Sequence, residues 1–157
     1  MATAIEKSMR LNCSPAEAFR LLVDNERLAY WTFSDRANVE PRVGGSYEIF
    51  WGTQGDVDST EGCKILALEE NRSLKVQWKG PTQRFDFAFM NAEGSLTTVN
   101  VSLSAIDGGT ELHLQHEGFQ DGEDWDTARA FLSEAWDGWL AELQQASGKS
   151  LTDEECR

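Results

Sequence analysis

The spacing of apolar side chains changes along the chain from a period of two to a period of three or four. Residues 4–11 alternate between apolar and polar, with Ile5, Met9 and Leu11 on one side, and this predicts a strand. Near the other end, Glu123–Ala146 carries apolar residues at steps of three or four and predicts a long amphipathic helix. The same alternation predicts further strands, which cover residues 46–52, 62–68, 73–78, 84–89, 95–106 and 110–119, and residues 84–89 form either a strand or an irregular edge.

Two short helices are expected directly after the first strand. Ser14 is a typical N-cap, Pro15 suits the first helical position and Glu17 completes a capping box. Asp24 can cap a second short helix that runs to about Tyr30. Two short helices are therefore expected between the first and the second strand.

The order of the elements defines the expected fold class. Asp107-Gly108-Gly109 between two alternating stretches is a strong signal for a tight hairpin. One strand, two short helices, about six further strands and one long helix predict an α+β domain with an antiparallel sheet. The long helix has the widest apolar face and is expected to cover that sheet. We predict a single domain over residues 1–147 and a flexible polar tail over residues 148–157.

The apolar face of the long helix has two interpretations. It is either a core helix packed on the sheet or the lid of a ligand cavity. We expect Leu132 and Trp139 to face the sheet. Small residues at Ala128, Ala135 and Gly138 would leave room for a cavity, although close helix–sheet packing also explains them. The face as a whole comprises Trp125, Ala128, Phe131, Leu132, Ala135, Trp136, Trp139, Leu140 and Leu143.

The charge balance argues against several classes of partner. The chain has 14 Lys+Arg against 27 Asp+Glu, and the resulting net charge of -13 opposes binding to nucleic acid or anionic lipid. The first residues carry charges without an apolar signal-peptide core, and no run approaches the ~20 apolar residues of a membrane span. Cys13, Cys63 and Cys156 are widely separated, which is typical of free thiols. We therefore expect a cytoplasmic protein with no nucleic-acid or membrane partner.

Several local patterns together resemble one protein family. They are SPAEAF after the first strand, Val43-Gly44-Gly45 before the second, GGTELHLQHEGF in the last hairpin and Gly138-Trp139 in the last helix. The combination resembles the START-like (SRPBCC) superfamily of the birch-pollen-allergen type, in the branch named for the activator of the heat-shock-protein-90 ATPase. The resemblance covers roughly residues 3 to 146.

This resemblance implies a helix-grip fold. In such a fold a curved antiparallel sheet of about six or seven strands wraps around the long C-terminal helix, and a largely hydrophobic cavity lies between the two. Many relatives bind apolar small molecules in that cavity, and some are cyclases or hydrolases. The branch supplies no shared catalytic signature, so function has to be argued from the residues of this chain.

The two histidines give little support for a metal site. His113 and His116 are three residues apart on a strand, so they point to opposite faces and cannot hold one ion together. His116 shares the inward face with Leu114, where it could bind a ligand or act as a general base. The alternative is a buried imidazole whose hydrogen bonds are satisfied by the backbone or by Tyr47. We expect no metal and no cofactor.

Aromatic side chains from several elements are the strongest indication of a binding site. They should converge under the long helix, where they would form either a filled core or an apolar pocket. The candidate lining residues are Trp31, Phe33, Tyr47, Trp51, Trp78, Phe85, Phe87, Leu114, His116, Phe119, Phe131, Leu132, Ala135 and Trp139.

Three functions fit these observations. The first is binding of a small hydrophobic or aromatic molecule in a cavity between the sheet and the C-terminal helix. The second is a cyclase- or hydrolase-type enzyme with His116 and Tyr47 as its polar groups. The third is a chaperone-associated interaction module, which the family resemblance alone suggests. The sequence also leaves open whether the chain forms a homodimer.

Overall fold

A computed structural model describes residues 3–52, 58–82 and 86–148 of the chain. Within these ranges it contains eight strands and three α-helices in the predicted α+β order. The elements are β1 (Ile5–Leu11), α1 (Pro15–Val23), α2 (Asn25–Trp31), β2 (Arg36–Val39), β3 (Tyr47–Trp51), β4 (Asp58–Ser59), β5 (Ile65–Glu69), β6 (Ser73–Trp78), a 3-10 helix (Ala88–Asn91), β7 (Thr97–Ile106), β8 (Gly109–Glu117) and α3 (Glu123–Ser147).

The strands pair antiparallel throughout and form two sheets. The larger sheet has the order β1-β8-β7-β6-β5, and the smaller one has the order β2-β3-β4. A bridge between Ser46 and Lys64 links the two sheets next to β3 and β5. The α3 helix shares one hydrophobic core with the strands and packs against β1, so the predicted helix-grip fold is confirmed. The predicted hairpin is confirmed as well, since β7 and β8 pair from Ile106 and Gly109 onward.

Local hydrogen bonds explain the two short helices. Ser14 Oγ accepts from the Glu17 amide over 3.2 Å, which confirms the predicted N-cap of α1. Asp24 Oδ2 accepts from the Arg27 amide over 3.2 Å and caps α2 in the same way. The Arg27 guanidinium also donates to Asp24 over 2.9 Å, which compensates for the burial of this charged side chain.

Two parts of the sheet prediction are wrong. The strands β2 and β4 fall outside the predicted strands, because they are short and their exposed faces are polar. The strand expected over residues 84–89 is replaced from Ala88 onward by the 3-10 helix. The Asn91 side-chain amide accepts from the Gly80 backbone N–H (2.8 Å) and donates to the Gly80 carbonyl (3.0 Å). These two bonds take the place of those that a neighbouring strand would make. Residues 83–85 lie outside the described residues, as does the predicted tail after Gly148.

The buried stripe of α3 is rotated from the predicted one. Trp136 and Leu140 lie at its centre, whereas Ala135 and Trp139 lie on its flank and are half-buried. Gly138 is exposed, so it makes no room for a cavity. The residues of α3 that are fully buried are Ala128, Leu132, Trp136, Leu140, Leu143, Ala146 and Ser147.

Candidate functional site

The centre of the grip, between the large sheet and α3, is packed. It retains a space of about 20 Å³, which is room for about one water molecule. Four of the predicted cavity residues, Trp31, Tyr47, Trp78 and Leu114, border this space. The centre of the grip is thus filled by side chains in the described part of the fold.

His116 is fully buried on β8, and both of its ring nitrogens have partners. The Trp136 indole Nε1–H donates to Nδ1 over 3.0 Å, and Nε2 lies 2.7 Å from the Thr97 hydroxyl. An indole N–H can only donate, so Nδ1 must be the bare nitrogen and Nε2 must carry the ring proton. Thr97 Oγ1 accepts a hydrogen bond from Nε2–H, and its own hydroxyl hydrogen is donated to the Trp78 carbonyl over 3.4 Å. The imidazole is therefore held as one neutral tautomer.

The two polar groups proposed for an enzyme are both part of the core. Burial lowers the pKa of His116 from 6.5 to about 3, because the imidazolium would lose its hydration. The Tyr47 hydroxyl donates to the Leu22 carbonyl over 2.7 Å, and burial raises its pKa. The predicted alternative in which Tyr47 satisfies His116 is not observed, since Thr97 and Trp136 are the partners.

An open pocket of about 440 Å³ lies instead at one end of the grip. The end of α2, the three-stranded sheet, the end of β6 and the outer flank of α3 meet there. Its lining residues are Thr32, Phe33, Asp35, Trp51, Asp58, Ser59, Trp78, Lys79, Pro81, Phe131, Leu132 and Trp139.

Three tryptophans form one wall of this pocket. Trp51 and Trp139 stack with ring centroids 5.5 Å apart and an angle of 18° between their planes. Trp78 is tilted against Trp139, with a centroid distance of 5.9 Å. The Trp51 indole N–H donates to the Thr32 carbonyl over 2.9 Å, which fixes the ring against the end of α2. A fixed, stacked indole pair offers a flat apolar surface to a planar molecule.

The rest of the lining includes polar and charged groups from loops. Asp35, Asp58 and Lys79 bring both signs of charge to the pocket. Asp58 also accepts the Thr82 amide over 2.8 Å, so its position is fixed by the backbone. Such a mixture of apolar walls and a few polar groups is typical of small-molecule pockets. The sequence prediction missed these three residues because they follow no hydrophobic period.

The fourteen predicted site residues separate into four groups. Six of them line the pocket, namely Phe33, Trp51, Trp78, Phe131, Leu132 and Trp139. Trp31, Tyr47 and Leu114 border the small inner space, and Trp78 borders that space as well as lining the pocket. Phe87, His116, Phe119 and Ala135 border neither space, with Phe87 packed on Phe131 (5.5 Å) and Phe119 on His116 (4.8 Å). Phe85 lies outside the described residues.

Neither metal chemistry nor thiol chemistry has a site in the described ranges. No group of three or more His, Cys, Asp or Glu side chains there could hold a metal ion. Burial raises the pKa of the Cys63 thiol to about 12 and that of Cys13 to about 11, so both stay protonated. Cys156 lies outside those ranges. No helix that the structure describes has the length and apolar character needed to cross a membrane.

Comparison with known proteins supports the fold and gives a family match. The family model of the Activator of Hsp90 ATPase homolog 1-like protein matches residues 12–148. Protein MLL2253 from Mesorhizobium loti is similar in structure, with 21% identity, a TM-score of 0.73 and coverage of 95% of this chain and 99% of that chain. No protein with a curated description matches.

Two further solved structures share the fold. An Hsp90 activator from Plasmodium falciparum is 18% identical, with a TM-score of 0.72 and coverage of 94% of this chain and 97% of that chain. The Aha1 dimer from Colwellia psychrerythraea is 18% identical, with a TM-score of 0.67 and coverage of 95% and 100%. At such identities the similarity establishes the fold and leaves the activity to be argued from the site.

Proposed function

The chain belongs to the Activator of Hsp90 ATPase homolog 1-like family, and from that premise we propose that it binds a small hydrophobic or aromatic molecule in the pocket at the end of the grip. The stacked pair of Trp51 and Trp139 is the observation that carries this proposal. Large indole rings are rarely left at an open surface, because contact with water gives up the free energy of burying them. Here both rings line an open pocket.

The size and composition of the pocket support the same ligand class. A volume of about 440 Å³ falls in the ~300–1,000 Å³ range of small-molecule sites. Trp78, Phe131 and Leu132 complete the apolar lining, and Lys79 with the two aspartates supplies polar contacts. A ligand with an aromatic ring and one polar end would fit this distribution.

Substitution of one pocket tryptophan tests the proposal. The neutral fluorescent probe N-phenylnaphthylamine is expected to bind saturably to the wild-type chain. Trp139→Ala removes half of the stacked pair and should weaken binding about ten-fold or more, a loss of ~1.4 kcal/mol or more. Probe fluorescence measures the dissociation constant.

Trp125→Ala is the matched control for this experiment. Trp125 lies on the same helix and is also half-buried, but it packs on Phe89 and Phe119 and does not line the pocket. Its substitution should leave the dissociation constant of the probe unchanged. Equal losses in both variants, or no saturable binding by the wild type, would refute the proposal.

A second candidate function is activation of the Hsp90 ATPase. It rests on the family description and on the Plasmodium falciparum structure, which is described as an Hsp90 activator. The test is the ATPase rate of purified Hsp90 with and without an excess of this chain. An unchanged rate, together with no co-sedimentation, would remove this candidate. A homodimer is proposed by analogy with the Aha1 dimer alone, and sedimentation equilibrium would detect it.

The cyclase or hydrolase alternative has less support. Its two polar groups, His116 and Tyr47, donate to or accept from core partners and do not line the pocket. A cytoplasmic location remains our inference from the free, buried thiols of Cys13 and Cys63, which suit a reducing compartment.

A further inference from the structure

The end of α2 carries a phenylalanine where proteins usually place glycine. The helix closes with a Schellman motif, in which the Ser34 amide donates to the Ala29 carbonyl (3.1 Å) and the Phe33 amide to the Tyr30 carbonyl (3.4 Å). Phe33 is the residue after the cap and has φ = 56°, in the left-handed region. Glycine is favoured there because a Cβ atom is strained in this conformation.

The Phe33 side chain gains little from the fold in return for this strain. Phe33 is 65% exposed, the highest fraction among the large apolar residues in the described ranges. An exposed phenyl ring contributes little burial free energy, so neither the backbone nor the ring of Phe33 is explained by stability. Strained residues that persist at such positions cluster at binding sites.

The position of Phe33 connects it to the pocket. It lines the open pocket together with Trp51 and Trp139. The preceding residue, Thr32, accepts the Trp51 indole N–H over 2.9 Å through its carbonyl. The turn that strains Phe33 therefore also holds the Trp51 indole, one member of the stacked pair, through the neighbouring residue.

We propose that Phe33 is a specificity-determining residue of the pocket, where its ring covers a planar aromatic ligand that rests on the Trp51–Trp139 pair. This inference rests on the proposed function and adds the class of ligand to it. A planar ring would contact aromatic surfaces from α2 and from α3 at once, whereas a saturated chain of equal size would gain less from the flat indole pair. The pocket should therefore prefer flat aromatic molecules to aliphatic ones.

Two substitutions at Phe33 separate the ring from the backbone. Phe33→Gly removes the ring and relieves the strain, so the variant should melt at the wild-type temperature or up to about 2–4 °C higher. Phe33→Ala removes the ring and keeps the strain. Both variants should bind N-phenylnaphthylamine about ten-fold more weakly than wild type, a loss of ~1.4 kcal/mol. Binding of lauric acid, an aliphatic competitor measured by displacement of the probe, should fall by less than three-fold.

Asn71→Gly is the matched control. Asn71 is the other described non-glycine residue at positive φ, at 65°, and it lies in the turn between β5 and β6, away from the pocket lining. This change likewise places glycine at a left-handed position and should leave probe binding unaltered.

The outcomes distinguish this inference from the proposed function. Loss of probe binding in Trp139→Ala with full retention in both Phe33 variants would overturn the role of Phe33 and leave the pocket as the binding site. A fall in melting temperature of Phe33→Gly would also overturn it, because the ring would then serve the fold. Equal losses of probe and lauric acid binding would overturn the preference for planar ligands.

Discussion

His116 shows how one polar residue can be accommodated inside an aromatic core. Thr97 and Trp136 use both ring nitrogens, while Trp78 and Phe119 surround the ring with centroid distances of 6.3 and 4.8 Å. A second proton would have to enter at Nδ1, where the Trp136 N–H already points. Protonation therefore requires the loss of that hydrogen bond as well as burial of a charge.

This arrangement predicts a specific acid sensitivity. The pKa of His116 is about 3 in the folded state and 6.5 as the reference for the unfolded chain. The unfolded chain thus binds the proton first as the pH falls. Above about pH 6.5 the ring is neutral in both states, and the unfolding free energy does not depend on its titration. Between pH 6.5 and pH 3 the unfolding free energy falls as the pH falls, by up to ~1.4 kcal/mol per pH unit.

Urea unfolding at several pH values would measure this loss. His116→Gln can keep both hydrogen bonds without titrating, so its unfolding free energy should fall less steeply between about pH 6 and pH 4. His113→Gln is the control, because His113 is exposed and bonds only to surface groups among the described residues, Ser8 and Glu6. Identical slopes in wild type and His116→Gln would contradict the assignment.

At the scale of the element, α3 contains a residue that weakens it. Gly138 lies in the interior of the helix, and a Cβ atom added there would meet no atom within 4 Å apart from its chain neighbours and the backbone of its own helix. Gly138→Ala should therefore raise the unfolding free energy by ~0.5–1 kcal/mol, because alanine loses less backbone entropy on folding. Probe binding should not change, since Gly138 does not line the pocket.

Ala141→Gly supplies the reverse test on the same exposed face of α3. It should lower the unfolding free energy by a similar amount. Chemical denaturation of both variants measures the two effects. A loss of stability in Gly138→Ala would contradict the open space next to Gly138 and would indicate that another surface packs there.

How far the elements could be predicted depends on whether their signals are local. Ser14 and Asp24 cap α1 and α2 as predicted, because a cap is decided by three or four neighbouring residues. The rotation of α3 was not predictable in the same way. Tryptophans occur at both 136 and 139, so the apolar pattern was broad, and only the shape of the sheet selects which one faces it.

At the scale of the molecule, the two ends of the described chain are tied together. Ser147 near the end of α3 is buried. Its hydroxyl accepts a hydrogen bond from the Asn12 backbone N–H over 2.8 Å and donates to the Gln144 backbone carbonyl over 2.6 Å. The Gln144 side chain in turn donates to the Arg10 carbonyl over 2.8 Å. These bonds attach α3 to the end of β1.

Ser147→Ala should weaken this attachment measurably. It leaves the Asn12 amide without its partner, which should lower the unfolding free energy by ~1–3 kcal/mol. Asp137→Asn is the comparison, since it removes the 2.8 Å ion pair with Lys7 between the same two elements. Asp137 is largely exposed, and the expected loss there is below ~1 kcal/mol. Thermal unfolding measures both losses. A larger loss in Asp137→Asn than in Ser147→Ala would contradict the prediction.

The candidate site was predictable in its apolar half. The sequence pattern alone predicts that Trp51, Trp78 and Trp139 converge, and all three line the pocket. The location at one end of the grip, and the contribution of Asp35 and Lys79, depend on how the three-stranded sheet is joined to the large one. That arrangement follows from pairings distant in sequence, such as the bridge between Ser46 and Lys64, and no local pattern encodes it.

The position of β1 beside β8 has a consequence for synthesis on the ribosome. Leu11 pairs with Thr110 and Ile5 with His116, so β1 meets its partner only after about a hundred further residues have been made. At ~5–20 residues per second, the first strand waits roughly 5–20 s with an unpaired edge. During that interval β1 is open to pairing with other nascent chains, and slower synthesis would lengthen this exposure.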